Sequence, residues 1–157
     1  MDTGEFAVRV GEIRAKLYRT AMMYMGNEHA ALDTLDEAVY KALRGCKKLR
    51  HPEFFDTWMT RILINECCTQ LRRRKDELCF DELPETAAEQ FDALPLKEAV
   101  RSLPRDLRDV VVLRYFSGYT LRETAEILDI PPGTASTRQR RALELLRLEL
   151  DEERSAE

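Results

Sequence analysis

The sequence contains few of the residues that usually carry catalysis or bind metal ions. Among its 157 residues are two histidines, one tryptophan and four cysteines, with no C-x-x-C pair. Because Cys67 and Cys68 are neighbours, they are poorly placed to bind one tetrahedral metal ion, and all four cysteines are predicted to be reduced core residues rather than metal ligands or redox groups. The other two are Cys46 and Cys79. No catalytic triad, carboxylate dyad or phosphate-binding glycine loop is evident, so we predict no catalytic residue, no metal site and no cofactor.

Long apolar segments and a basic N-terminus are also missing. No apolar run approaches the roughly 18–20 residues that a membrane span needs. The first residues are amphipathic and lean acidic, which is unlike a signal peptide. We therefore expect a cytoplasmic protein that does not itself insert into a membrane.

Charge is distributed unevenly along the chain, whose net charge is −4. Residues 1–75 carry a net charge of +4 and residues 96–150 one of +2, whereas residues 76–95 carry −7 with no basic residue among them. Two mildly basic blocks thus flank an acidic segment. The overall acidity is therefore no argument against binding to nucleic acid.

Apolar residues recur at helical spacing in both basic blocks. The predicted N-terminal helices cover residues 5–25, 28–47 and 53–74. The predicted C-terminal helices cover residues 96–102, 105–117, 121–128 and 133 to about 151. Val8 is expected to widen the apolar stripe of the first helix.

The predicted fold is all-α, with two small helical domains. Residues 1–75 are expected to form a three-helix bundle and residues 96–157 a four-helix domain that contains a helix-turn-helix. Pro84, Pro95 and the acidic composition favour a linker over residues 76–95.

The segment after Pro131-Pro132-Gly133 is typical of the second helix of a helix-turn-helix. At 100° per residue, Ala135, Ala142 and Leu146 share one sector, with Leu143 beside it. The candidate DNA-contacting residues of this helix are Thr134, Ser136, Thr137, Arg138, Arg140 and Arg141. Arginine can bond guanine with two hydrogen bonds, but a solvated charged helix face would have the same composition.

The C-terminal block resembles that of bacterial RNA polymerase sigma factors, in particular the small two-domain extracytoplasmic-function (ECF) group. The family's usual run is roughly G-T-V-K-S-R-L-x-R-A, and residues 133–142 read GTASTRQRRA. Gln139 replaces a usually apolar residue, and Ser136 replaces a usual lysine or arginine. Other shared residues are Leu103-Pro104, Arg108, Leu113-Arg114-Tyr115, Gly118, Glu123, Ala125 and Leu128.

The N-terminal block resembles the same family independently. Residues 55–65 are similar to its promoter-melting segment, F-x-x-W-L-x-R-I-x-x-N, and a basic run follows at residues 72–75. Residues 31–44 resemble its polymerase-binding segment, although Asp36 stands where glutamine is usual. The resemblance covers residues 5 to about 150.

The resemblance implies three partners: core RNA polymerase, promoter DNA and an anti-sigma protein, often membrane-bound, that wedges between the domains. Polymerase would meet Asp33, Asp36 and Glu37. The −35 element would meet the six candidates of the last helix. The −10 element would be contacted and melted by Lys47, Lys48, Arg50, Trp58, Arg61, Asn65, Arg72 and Arg73. The acidic linker would thread a nucleic-acid channel of polymerase.

The residues alone leave several alternatives open. Trp58 could be core rather than a base contact, and the basic run at 72–75 could simply favour the helix dipole. The acidic face of the second helix could be an ordinary solvated surface, and the linker could be merely solubilising. For the whole protein, the rival hypotheses are a helix-turn-helix regulator that acts without polymerase and a degenerate sigma-like adaptor.

Overall fold

Three helices make the first of the two compact units into which the chain divides, Met1–Pro84 and Glu85–Glu157. A computed structural model describes residues 1–78 and 94–156. In the first unit, α1 is Thr3–Met25, α2 is Glu28–Gly45 and α3 is Phe55–Leu78. Each of the three helices packs against the other two.

Local capping explains where the first two helices begin. The Asp2 carboxylate accepts a hydrogen bond from the Glu5 N–H at 2.9 Å, and the Asn27 side chain accepts one from the Ala30 N–H at 2.8 Å. Both satisfy N–H groups that a helix start leaves without partners. Gly26 ends α1 at φ +81°, a conformation that favours glycine.

The core of this bundle is continuous through all three helices. Its fully buried large side chains are Leu17, Tyr24, Leu35, Phe55, Met59 and Leu63. Between α2 and α3, two short 3₁₀ turns at Cys46–Lys48 and Pro52–Phe54 carry the chain around the bundle end. This connection, residues 46–54, is called the basic loop below because it holds Lys47, Lys48 and Arg50.

The second unit contains four helices. They are α4 (Leu94–Ser102), α5 (Arg105–Val111), α6 (Leu121–Leu128) and α7 (Pro132–Ala156). Helix α7 packs against α4, α5 and α6. A capping box starts α6, in which the Thr120 hydroxyl accepts from the Glu123 N–H at 3.1 Å and the Glu123 carboxylate accepts from the Thr120 N–H at 3.3 Å.

The turn between α6 and α7 makes the helix-turn-helix. It is three residues long, and its first residue, Asp129, ends α6 in the left-handed conformation at φ 56°. The Ile130 N–H donates to the Ala125 carbonyl at 3.0 Å, which closes the end of α6. Pro132 then occupies the first position of α7, where its missing N–H is not needed.

The prediction of an all-α fold with three and then four helices is confirmed for residues 1–78 and 94–156. No β-strand occurs in those ranges. The segment predicted as one helix over 105–117 instead widens after Val111 into a π-helical turn, Val112–Phe116. There the Ser117 N–H donates to the Val112 carbonyl, five residues back, at 2.9 Å.

Two residues predicted beside apolar stripes are exposed instead. Val8 is 63% exposed and Leu143 is 41% exposed. Val8 lies two residues from buried Phe6, and Leu143 follows buried Ala142 by one residue. On a helix that turns 100° per residue, each is therefore rotated by 100–200° from the packed side. Prediction of their burial was wrong because the buried sectors of α1 and α7 are narrower than the apolar composition suggested.

Cys46, Cys67 and Cys68 are buried, as predicted for core residues, and the absence of a metal or redox role stays a prediction. Cys79 and residues 79–93 of the predicted linker lie outside the described residues. Helix α3 continues to residue 78 and α4 starts at residue 94. The domain boundaries predicted at residues 75 and 96 stay predictions. Within the described part of the chain, no helix combines the length and the apolar composition that spanning a membrane requires.

Candidate nucleic-acid interfaces

One side of α3 carries four of the eight residues predicted for contact with the −10 element. Trp58, Arg61, Asn65 and Arg72 fall within a sector of about 60° on a helix that turns 100° per residue. Asn65 and Arg72 are exposed, while Arg61 and Trp58 are half-buried. Buried side chains occupy the other side of the helix, so this polar and aromatic stripe is held on a rigid support.

Trp58 is half-buried, which fits packing on the core and leaves part of its ring exposed. Its ring centroid lies 5.9 Å from that of Phe55, which is fully buried. A β-carbon at Gly45 would lie 3.5 Å from the indole. One part of Trp58 therefore packs on the bundle, and the remainder is accessible on the stripe.

The basic loop adds exposed positive charge next to the start of α3. All three of its cations are exposed. Phe54, which the sequence reasoning did not select, is also 54% exposed. Its ring centroid lies 6.2 Å from that of His51 in an edge-on arrangement, so the loop presents an aromatic pair as well as cations.

The basic run at the end of α3 divides into one arginine that caps a neighbouring helix and residues that are exposed. The Arg74 guanidinium donates to the carbonyl of Met25 at 3.0 Å and so caps the C-terminus of α1. Arg72 and Arg73 are exposed. The two arginines that we predicted for DNA contact are therefore the ones presented to solvent.

The predicted polymerase-binding carboxylates share an exposed face of α2. Asp33 lies 3.3 Å from the His29 ring and Glu37 lies 3.9 Å from the Lys41 ammonium, both one helical turn away. Asp36 forms no ion pair with any residue that the structure describes. Exposed pairs of this kind are weak, so the face keeps its acidic character.

Behind this face, a buried carboxylate joins α2 to α3. The Glu66 side chain is 3% exposed and accepts hydrogen bonds from Lys41 and, at 2.9 Å, from Gln70. Burial by itself would raise the pKa of Glu66, but the hydrogen bonds from Lys41 and Gln70 and the positive charges of Lys41 and Arg73 outweigh it, and the pKa is lowered. Glu66 is therefore ionised at neutral pH inside the bundle.

We expect Lys41→Met to destabilise the N-terminal unit by about 1–3 kcal/mol at pH 7, because it leaves a buried carboxylate short of a donor. In the wild type, the lowered pKa means that Glu66 stabilises the fold above its unfolded pKa of about 4.3, and that this stabilisation is lost as the pH falls through the folded pKa. The difference between variant and wild type should therefore shrink below about pH 4. Thermal unfolding across pH 3–8 measures it.

Lys48→Met is the matched control for this prediction, since it removes an exposed lysine that forms no ion pair with any described residue. Its unfolding free energy should stay within about 0.5 kcal/mol of wild type at every pH. Equal destabilisation by both variants would contradict the role assigned to the Lys41–Glu66 pair.

A second candidate interface lies at the start of α7. Thr134, Thr137, Arg138 and Arg141 line a cleft of about 350 Å³ together with Asp106 and Leu107 of α5 and with Gly133. The Thr137 hydroxyl donates to the Gly133 carbonyl at 3.0 Å, one turn back. The Arg138 and Arg141 guanidinium groups form no ion pair with any described residue, which leaves their donors available for phosphates or base edges.

The other two candidates on α7 lie elsewhere on the helix. Ser136 and Arg140 are about 200–240° from Thr134, on the opposite flank from the cleft. Between the two flanks, Ala135 and Ala142 are fully buried, as predicted, and hold α7 close to its neighbours. The amide oxygen of Gln139 is buried on that side and has no hydrogen-bond partner among the described residues, at the position where the resembling family has an apolar residue.

Comparison with protein families assigns each unit separately. Residues 10–77 match the family described as Sigma-70 region 2, and residues 93–146 match the family described as Sigma-70, region 4. The two matches occur in this order and together cover most of the chain.

Whole-length relatives and solved structures agree with the two family matches. The chain is 33% identical to the RNA polymerase sigma factor SigV of Bacillus subtilis, over 87% of this chain and 85% of SigV. It is 30% identical to the ECF RNA polymerase sigma factor SigW of the same organism, over 95% and 90% of the two chains. Its fold is similar to that of the sigma factor RpoE in complex with the anti-sigma factor NepR from Bartonella quintana, with a TM-score of 0.74, 24% identity and coverage of 94% and 97%. CnrH in complex with the cytosolic domain of CnrY also gives a TM-score of 0.74, with 20% identity and coverage of 96% and 90%.

Proposed function

This chain belongs to the ECF group of RNA polymerase sigma factors, which direct polymerase to promoters, and from that premise we propose how its two units divide the work. The N-terminal unit binds core polymerase through α2 and the −10 element through α3 and the basic loop. The C-terminal unit binds the −35 element through α7. The observation that carries this proposal is the ordered pair of region 2 and region 4 matches, each on its own helical unit.

The α3 stripe and the basic loop have the chemistry that an opened −10 element requires. Exposed cations attract the phosphate backbone, and an unstacked base needs an aromatic surface and a side chain that reads its edge. Phe54 and the accessible part of Trp58 supply the aromatic surface, and the amide of Asn65 supplies the side chain that reads the base edge. Arg61, Arg72 and Arg73 extend the interface along the helix.

We expect Asn65→Ala to reduce the yield of open complexes about tenfold while leaving polymerase binding unchanged, because a side chain that reads a base edge contributes on the order of 1–3 kcal/mol. Permanganate footprinting of unpaired thymines measures promoter opening. Thr57→Ala, a half-buried position one turn from Arg61 and outside the stripe, serves as the control. Normal opening by Asn65→Ala would remove Asn65 from the proposed site.

The cleft at the start of α7 supports contact with duplex DNA. Its arginines project from the second helix of a helix-turn-helix, the element that enters the major groove in this motif. Thr134, Thr137, Arg138 and Arg141 are the central contacts in this proposal. Ser136 and Arg140, on the opposite flank, would meet the flanking backbone instead.

The acidic face of α2 is proposed to bind a basic helical surface of polymerase. Asp33, Asp36 and Glu37 are exposed on one side of α2, and the ion pair of exposed Lys41 with buried Glu66 joins that helix to α3. Charge complementarity of this kind sets the rate and register of association more than its strength.

The proposal includes a regulatory partner and excludes chemistry by this chain. RpoE and CnrH are each seen in complex with another protein, NepR being an anti-sigma factor; an anti-sigma protein is accordingly proposed here too. The chain makes and breaks no bond of its own, needs no cofactor, and acts in the cytoplasm with polymerase.

Run-off transcription with purified core polymerase tests the proposal as a whole. We expect transcripts from a promoter selected out of a randomised upstream library only when this chain is present. A helix-turn-helix regulator without polymerase binding, or an adaptor that has lost promoter contacts, would yield no chain-dependent transcript.

A further inference from the structure

The basic loop is held at both ends by the first ten residues of the chain. At its start, the Cys46 thiol lies 3.8 Å from the Met1 carbonyl. Just beyond its end, the Phe55 ring meets the edge of the Phe6 ring, with centroids 5.8 Å apart. Between these anchors, Lys47, Lys48 and Phe54 remain exposed.

Arg9 joins α1 to the interior of this loop by a side-chain hydrogen bond. Its guanidinium donates to the Pro52 carbonyl at 3.0 Å and lies 5.9 Å from the centroid of the Phe55 ring. The Glu5 carboxylate is 4.0 Å away, and the Arg9 side chain is 34% exposed. The bond therefore spans 43 residues of sequence and fixes the turn that carries Phe54.

We infer that Arg9 is a positioning residue for capture of an unpaired promoter base by the basic loop, an inference that rests on the proposed function. Pro52 begins the 3₁₀ turn whose last residue is Phe54, and α3 begins immediately after it. A shift of the Pro52 carbonyl moves the Phe54 ring relative to Asn65 on α3. Arg9 acts through this turn and need not touch DNA itself.

The geometry separates this role from simple stabilisation of the bundle. The Pro52 carbonyl also accepts a hydrogen bond from the Phe55 N–H, so it keeps a partner when Arg9 is replaced. The methylenes of a methionine can still cover Phe55. Arg9→Met therefore removes the tie to the loop and leaves no buried polar group without a partner, which is the costly outcome.

The test compares Arg9→Met with Arg14→Met, which removes an exposed arginine from the same helix. Each full-length variant is assembled with core polymerase, and two affinities are measured: for polymerase, and for a single-stranded −10 oligonucleotide selected from a randomised pool by the wild-type holoenzyme. We expect Arg9→Met to bind the oligonucleotide about tenfold more weakly with unchanged polymerase affinity, the low end for losing one hydrogen bond from a charged group. Arg14→Met should match wild type in both measurements.

A conservative variant and a fluorescent base distinguish positioning of the loop from a merely structural role of Arg9. With 2-aminopurine at the captured position, the fluorescence change on binding should be smaller for Arg9→Met and partly restored by Arg9→Lys, which keeps a charged donor. Wild-type oligonucleotide affinity in Arg9→Met, or an equal loss of polymerase affinity, would overturn the inference while the proposed function stands. Failure of the wild-type holoenzyme to select any −10 strand would overturn the proposed function and the inference with it.

Discussion

Phe55→Ala is expected to destabilise the N-terminal unit by about 3–5 kcal/mol, whereas Phe54→Ala, one residue earlier, should change its stability by less than about 0.5 kcal/mol. Phe55 is fully buried, and its ring is in contact range of Phe6, Trp58 and Arg9. Removing it leaves a cavity where α1, α3 and the basic loop meet. Phe54 is 54% exposed, so its loss opens no cavity.

The two variants should separate stability from promoter opening. Phe54→Ala should fold normally and open promoters poorly, because stacking on an aromatic side chain is worth about 1–3 kcal/mol per base. Urea unfolding monitored by circular dichroism gives the stabilities, and permanganate reactivity gives promoter opening. If Phe54→Ala opens promoters as well as wild type, Phe54 is not part of the base-capturing surface. If Phe55→Ala unfolds at the wild-type urea concentration, the packing described for this corner is wrong.

Phe54 and Phe55 also show how much of the burial pattern could be predicted from the sequence. Helical spacing located α3 and placed Phe55, Met59 and Leu63 on its buried side, because those positions recur with the period of a helix. Phe54 was inside the predicted helix, residues 53–74, but the structure starts α3 one residue later, at Phe55. Its exposure depends on the 3₁₀ turn at Pro52–Phe54, which short sequence patterns do not specify.

Hydrogen bonds between different elements of the N-terminal unit could not be predicted from the sequence. The hydrogen bonds of Arg74 with Met25, Arg9 with Pro52 and Lys41 with Glu66 join residues that are 25 to 49 positions apart. Composition shows that such charged residues exist, but their partners depend on how the helices rotate and cross. The division of the basic run at 72–75 into a helix cap and two exposed arginines followed only from that packing.

The same limit applies to the face of α7 that is proposed to meet DNA. Its buried alanines were predictable from their spacing, and burial of Ala135 and Ala142 fixed the rotation of the helix. The contribution of Asp106 and Leu107 to the cleft was not predictable from spacing, because these residues belong to α5 and meet α7 only through the tertiary fold. Candidate residues on one element were thus named from the sequence, whereas their neighbours on a second element were missed.

Arg141→Ala is expected to weaken holoenzyme binding to a −35 element duplex by about 1–3 kcal/mol, or roughly 5- to 150-fold. Arg141 lines the cleft and has no ion-pair partner among the described residues, so its guanidinium is available to bond a guanine edge with two hydrogen bonds. Arg147→Ala is the matched control, since it removes an exposed arginine six residues later on α7, away from the cleft. It should leave binding to the duplex within about twofold of wild type.

The salt and sequence dependence of Arg141→Ala distinguishes a base contact from a phosphate contact. Loss of a base contact lowers affinity for the selected element and leaves affinity for a scrambled duplex unchanged, so discrimination falls. Loss of a phosphate contact instead weakens both duplexes equally and reduces the slope of log affinity against log salt concentration by about 1. Titrations at several salt concentrations on both duplexes resolve the two. Wild-type affinity and an unchanged salt slope on both duplexes would mean that the α7 cleft does not face DNA, and the orientation proposed for the helix-turn-helix would have to be abandoned.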